Sequence, residues 1–278
     1  MSETILVSPL VTVITPVFNS GELLRTTIES ILQQTYSNIE YIIIDGNSTD
    51  NTLDVVRLYG KSITHLISEP DSGMYEALAK GLIRANGEII CYINAGDLLQ
   101  PHAVQVVVDI FKNPNLSWIT GYRSICNEQG TITYVDLPFR YKSSLIRSGS
   151  YGRSLPFIQQ ESTFWRASLL KYVDMEFLRK LKLAGDYYLW CSFSKHVQLK
   201  IVSSTLGVFK KHGGQLSERR DQYFSEVDTF TQMRGLIVRV SEIYEMLFWS
   251  MHPKIRAMFM KTVIQFNHKT GMWEKGFN

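Results

Sequence analysis

Two carboxylates at the ends of apolar runs define the chemistry open to this chain. Ser68-Glu69-Pro70-Asp71-Ser72-Gly73-Met74-Tyr75 sets one ahead of a helical pattern, and Ile89-Ile90-Cys91-Tyr92-Ile93-Asn94-Ala95-Gly96-Asp97 sets another at the mouth of the next strand. Oxygen donors of this kind suit a divalent cation, and such a cation suits a phosphorylated substrate. A third carboxylate, Asp186, follows Gly185 and precedes Tyr187-Tyr188. Burial among aromatic rings raises a carboxyl pKa toward working pH, as a general base requires. Glu161, in Gln160-Glu161-Ser162, is the rival for that work. Each group also has a plainer reading. Asp71-Ser72 and Asp186 stand where helix caps stand, and Asn94 to Asp97 is rich in turn residues.

The elements that must position these groups follow from the pattern. Val11 to Thr15 is β-branched, Pro16 and Asn19-Ser20-Gly21 break it, and Leu23, Leu24, Ile28, Ile31 and Leu32 fall at helical spacing. The cycle repeats at Tyr41 to Asp45, with a helix around Leu53 to Leu58, and again at Thr64 to Ser68. There the next helix is expected from Ser72 to Asn86, with Gly87 ending it in a left-handed conformation. A fourth strand covers Glu88 to Ile93. Continuous apolar strands alternating with helices predict an α/β fold with a mostly parallel sheet covered on both faces. Ligands of such sheets bind beyond the carboxyl ends of the strands, so the segments 15–19, 45, 69–72 and 94–97 should share one crevice. Beyond Asp97 the pattern predicts a helix over 101–111, strands near 117–122 and 131–134, helices over 168–177 and 187–194, a strand over 200–209, and helix from about 218 onward. The aperiodic stretch 137–157 reads as a functional loop able to cover the site.

With 278 residues, 45% hydrophobic and 20% charged, the chain can bury a full core. A net charge of +3 is too mild to argue for nucleic acid. Cys91, Cys126 and Cys191 lack metal-ligand spacing and sit in or beside apolar runs, as reduced thiols of a cytosolic protein would. Neither a secretory signal nor an apolar run long enough to span a bilayer is evident, so a cytoplasmic location is expected.

Taken together, the segments 11–19, 44–50, 69–75 and 87–97 resemble the inverting family-two glycosyltransferases of the GT-A (Rossmann-like) fold, in particular bacterial enzymes of surface polysaccharides. The likeness continues more weakly through Gln160 to Arg166, Ala184 to Tyr187 and Gly213 to Ser217. It implies a glycosyltransferase domain over 1–217 and a helical C-terminal extension over 218–278. It also implies a nucleotide-sugar donor, a UDP-sugar by preference. Thr15, Pro16, Val17 and Asn19 would lie around its base and ribose, and Asp45 would accept from the uracil ring. Asp71, Ser72, Asn94 and Ala95 would complete the donor site, with Lys80, Lys210 and Lys211 as further phosphate contacts. Asp97 would ligate Mn2+ or Mg2+, with His212 as an additional candidate ligand; the family's acidic cluster is reduced here to that single acid. Gln160 and Glu161 would meet a saccharide or lipid-linked saccharide acceptor, and Asp186 would be the base. Local readings stay open beside these: Asn19 as a helix cap reciprocated by Glu22, and Asp45 as a turn former.

The tail from Gly235 sets Arg239, Lys254, Arg256, Lys261, Lys269 and Lys275 against three glutamates, among many aromatic residues. Such a segment would lie on the inner face of an anionic membrane, or pack on the catalytic domain or on a second copy. Two further classes compete. A noncatalytic nucleotide-sugar-binding or scaffold protein is favoured by the reduced acidic cluster. A nucleotidyltransferase lacks the glycine-rich basic loop that would hold a triphosphate.

Overall fold

The computed structural model describes residues 8–275 apart from 137, 139, 212, 214, 216, 217, 233, 253, 254 and 256–262. Its first half follows the predicted cycle: β1 (Val11–Val17), α1 (Gly21–Leu32), β2 (Ile39–Asp45), α2 (Thr52–Tyr59), β3 (His65–Ser68), α3 (Met74–Arg84) and β4 (Ile89–Tyr92). These strands pair in parallel in the order β3-β2-β1-β4. All seven residues of β1 are buried, which explains its unbroken apolar and β-branched composition. On α3, Tyr75, Leu78 and Leu82 turn inward at helical spacing.

Gly87 differs from expectation. Its φ is not positive and α3 ends at Ala85 in extended backbone. The glycine is needed for close approach instead, because a Cβ there would lie 2.6 Å from the Thr12 backbone nitrogen.

The chain then forms β5 (Leu98–Leu99), α4 (Ala103–Phe111), β6 (Trp118–Thr120), β7 (Arg123–Cys126), β8 (Ile132–Asp136), α5 (Ser143–Arg147) and β9 (Thr163–Arg166). It continues as α6 (Met175–Lys180), α7 (Gly185–Ser194), β10 (Lys200–Val202), β11 (Gly207–Lys210), α8 (Arg220–Asp228), α9 (Leu236–Ser250), β12 (Val263–Asn267) and β13 (Met272–Lys275). β9 lies antiparallel between β4 and β6, and the sheet runs on through β10, β12 and β13 to nine strands. A second sheet runs in the order β5-β11-β7-β8.

Four expectations beyond Asp97 change. The run 200–209 is two strands in different sheets, since Ser203 to Leu206 turns the chain between them. The run 168–177 splits into a 3-10 turn over Ala167–Tyr172 and α6, with Asp174 capping α6 through the Glu176 and Phe177 amides. The stretch 137–157 is no simple cover: Tyr141, Leu145, Ile146 and Tyr151 are buried in the core. Aromatic side chains spaced without helical or strand period look like loop in sequence, yet here they fill the space beside α7. The tail is helical through α9 and then closes as a hairpin whose β12 pairs in parallel with β10.

Trp118, Trp165, Trp190 and Phe193 pack beneath the sheet, with Trp118 and Trp190 stacked at 5.6 Å and Trp165 edge-on to Trp190 at 5.7 Å. Truncating Trp165 to alanine would cost about 3–5 kcal/mol. This cluster braces α7, which carries Asp186, against β9, which leads out of Glu161.

Candidate functional site

The carboxyl ends of β1 and β4, the start of α3, the turn before β9, the start of α7 and the start of α8 enclose one cavity of about 1010 Å3. Pro16, Val17, Asp71, Ser72, Asn94, Ala95, Asp97, Gln160, Glu161 and Asp186 all line it. A cavity of that size holds a nucleotide-sugar, and strand ends are where such sheets bind ligands.

Asp186 is the second residue of α7 and is not its cap, since Ala184 holds that position. Its carboxylate accepts hydrogen bonds from the hydroxyls of Tyr75 (3.3 Å) and Tyr223 (3.1 Å). Burial pushes its pKa up to about 6, against the pull of those bonds. Gly185 makes the arrangement fit, because a Cβ there would lie 2.3 Å from the Tyr75 ring. The loop entering α7 is held by Glu226 of α8, whose carboxylate accepts from the amides of Lys182 (2.7 Å), Leu183 (2.7 Å) and Ala184 (2.6 Å). An anion at a helix N-terminus satisfies its unpaired amides and complements its dipole.

Asp97 and Glu161 are both buried. Burial raises the Asp97 pKa to about 7, while the Lys210 amide donates to it at 3.0 Å. Burial drives Glu161 well above the usual carboxylate range, and the charges of Asp97 and Asp186 push it the same way. Without a cation, one of these acids keeps a proton near neutrality. Gln160 donates to the Tyr92 carbonyl and accepts from Asn94 at 3.2 Å, which ties the turn before β9 to the end of β4.

The family resemblance leads one to expect Mn2+ or Mg2+ beside Asp97, and the side chains there would fit such a cation. Asn94 Oδ1 is buried with no hydrogen-bond partner among the described residues, beside the buried carboxylates of Asp97 and Glu161. Hard oxygen donors of this kind suit either cation. Among the described residues no group of three or more His, Cys, Asp or Glu side chains is assembled that would hold a metal ion unaided. Phosphate and water would therefore complete its shell. His212 lies outside the described residues.

Three expected donor residues are not among those that line the cavity. Thr15 is buried and accepts from the Tyr41 hydroxyl at 3.2 Å. Asp45 is buried, and its oxygens accept from the Ser48 amide (3.1 Å), the Ser48 hydroxyl and the Ser68 hydroxyl (2.6 Å). Asn19 adopts φ 46° and accepts from the Thr49 amide at 2.8 Å, while Glu22 accepts from Asn51 at 3.0 Å. The reciprocal Asn19–Glu22 cap is thus absent. Both asparagine and aspartate instead shape the loops that carry Pro16, Val17 and Gly46 to the cavity.

Lys80 is likewise occupied, bonding to the Pro70 carbonyl (3.0 Å) and to Glu69 (3.0 Å). The cations that do line the cavity are Arg123, Lys182, Arg219 and Arg220, none of which the sequence patterns singled out. Tyr223 and Glu226 were also missed. The Glu226 to Lys182 separation is 44 residues, and no local spacing encodes a contact of that kind.

The profile described as Glycosyl transferase family 2 matches residues 12–173. An uncharacterized glycosyltransferase of Rickettsia typhi is 29% identical over 189 residues, which is 67% of this chain and 59% of that protein's length. A PGL/p-HBAD biosynthesis glycosyltransferase of Mycobacterium bovis is 23% identical over 275 residues, 94% of this chain and 99% of that protein. Among solved structures, S. aureus TarS 1–349 in complex with UDP-GlcNAc superposes at a TM-score of 0.62 and 14% identity, over 91% of this chain and 70% of that one. A mannosyltransferase from Pyrobaculum calidifontis in complex with GDP-Man and Mn2+ superposes at 0.55 and 18% identity, over 91% and 72%. At such identities the likeness shows the GT-A fold alone.

Proposed function

This chain belongs to glycosyltransferase family 2, and from that premise we propose that it is an inverting hexosyltransferase of polysaccharide assembly, acting on a UDP-sugar and a saccharide or lipid-linked saccharide. The observation that carries the reading is Asp186, a carboxylate with its pKa near 6, opening onto the cavity that Asp97 and Asn94 also line. Asp186 takes the proton of an acceptor hydroxyl as that oxygen attacks the anomeric carbon. The bond from that carbon to the diphosphate oxygen breaks on the opposite face, so configuration inverts and the nucleoside diphosphate departs with the electron pair. A divalent cation held by Asp97, Asn94 and Glu161 would neutralise the charge that builds on the leaving diphosphate. Pro16 and Val17 shape the nucleoside end of the cavity, and Asp71 and Ser72 the sugar end. Lys182 and Arg219 supply positive charge along its wall. Gln160 orients the acceptor, while Glu161 goes to the cation rather than to the acceptor.

Two buried carboxylates near one another weaken the case for a noncatalytic binding protein, because Glu161 supplies in space the second acid missing beside Asp97. The test is transfer: purified protein, Mn2+ and a panel of nucleotide-sugars with saccharide acceptors, read by release of nucleoside diphosphate and by product stereochemistry. Retention of configuration, or donor binding without transfer to any acceptor, overturns the proposal. Its site of action is the inner face of the membrane, where lipid-linked acceptors are found.

A further inference from the structure

Helix α9 is built inside out. Leu236, Ile237, Val240, Ile243 and Leu247 form one stripe and face away from the protein, with exposures reaching 84% at Ile237, 78% at Leu236 and 62% at Leu247. Its two acids turn inward. Glu245 is fully buried between Arg140 (2.5 Å) and Lys142 (2.8 Å), and Glu242 pairs with Arg234 at 2.6 Å. A helix packed for water would show the reverse pattern. Here ion pairs hold the polar face to the body and leave the apolar face without cover among the described residues.

Charge identifies the occupant. With both glutamates withdrawn, the only charged residue that α9 exposes is Arg239. From Met246 to Trp273 the sequence contains Lys254, Arg256, Lys261 and Lys269 and no aspartate or glutamate. An apolar stripe with Arg239 on its helix, in a C-terminal sequence that is basic, complements an anionic bilayer surface, into which such a helix sinks its apolar face. No helix among the described residues is long and apolar enough to cross a membrane, so α9 would lie on it. A second copy fits less well, because five side chains on one 15-residue helix fall short of the roughly 20–30 residues per side of a stable interface.

The seat is also next to the site. On the inner face of α9 the Trp249 ring stacks under the Arg123 guanidinium at 5.7 Å. Arg123 lines the cavity and donates to Tyr134, which lines it too, at 2.7 Å.

We infer that α9 docks the protein flat on a membrane rich in anionic phospholipid, holding the cavity mouth at the lipid surface. This inference deepens the proposed function, resting on it only in taking the acceptor to be lipid-linked.

The experiment is co-sedimentation with vesicles, using the full chain and the double variant Ile237→Glu with Leu247→Glu. Wild-type protein is expected to sediment with phosphatidylglycerol-containing vesicles, less with pure phosphatidylcholine, and less again at high salt. The variant should partition at least about tenfold less, since charges on the stripe forfeit its burial. Its thermal shift with UDP-sugar and its transfer to a water-soluble acceptor should match wild type, which shows that it folds and separates this inference from the catalytic one. Absence of wild-type sedimentation, or equal sedimentation of the variant, overturns the inference. So does a dimer, seen by sedimentation equilibrium and dispersed by the variant, in protein that ignores vesicles.

Discussion

The hydroxyl of Tyr223 lies 3.1 Å from the carboxylate of Asp186 across 37 residues of sequence, and the hydroxyl of Tyr75 approaches the same oxygen from a third element at 3.3 Å. Two neutral donors stabilise the carboxylate form without supplying a charge that would make it a poor base. Burial opposes them and dominates, which leaves the pKa at about 6, high for a carboxylate yet below neutrality.

Replacing Asp186 with asparagine removes the proton acceptor and keeps the shape. Transfer should fall by about 10^2–10^4-fold while donor affinity stays within a few-fold. Stopped-time assays paired with donor titration read the two separately, and near-normal transfer would refute the base assignment.

The pH profile follows from the same group. Asp186 works when deprotonated, so kcat/KM should be flat above about pH 6 and drop tenfold per unit below it. In Tyr223→Phe one donor to the carboxylate is lost, its charged form is less favoured, and the acid limb should move to higher pH. A profile unchanged from wild type would show that Tyr223 does not act on the base.

Asp97, Glu161 and Asp186 all have raised folded-state pKa values. Their contribution to stability is therefore present below the unfolded carboxylate value, near 4, and is lost as pH rises through the folded values, about 6 for Asp186 and about 7 for Asp97, with Glu161 acting in the same direction. Metal-free protein should lose Tm over that window. Mn2+ at about 100 times Kd should restore about 2.7 kcal/mol, or roughly 5–10 °C. Asp97→Asn, which retains an acceptor for the Lys210 amide, should flatten the pH dependence and abolish the Mn2+ shift in scanning fluorimetry.

Glu226→Gln tests the support of the base rather than the base. Losing charge-assisted bonds to three amides should cost about 2 kcal/mol and lower Tm by roughly 4–8 °C. Because the loop entering α7 would loosen, kcat should fall with little change in donor affinity. A loss of donor affinity alone would contradict this role.

Legibility in the sequence tracks how local each interaction is. β1, β2 and β4 were readable because burial on both faces forces continuous apolar runs, the exposed edge strand β3 only by its place in the repeating cycle, and the helices because helical spacing marks one inward face. Asp71 and Asp97 could be picked out as candidates because the parallel order places strand ends on one edge, and Asp186 because of its aromatic neighbours; all three line one cavity, while the roles proposed for them come from the family resemblance. What the tertiary structure alone decided lies in contacts across long separations. Glu161 sits by Asp97, Glu226 reaches the amides ahead of Asp186, and Lys80 is consumed by Glu69. Asp45 and Asn19 turn to their own loops rather than to the cavity. The C-terminal hairpin joins the sheet through β10, and α9 turns its glutamates inward, because partners such as Arg140 stand 105 residues away in sequence and at hydrogen-bond distance in space. Composition sets which groups are present, whereas packing sets which of them remain to meet a ligand.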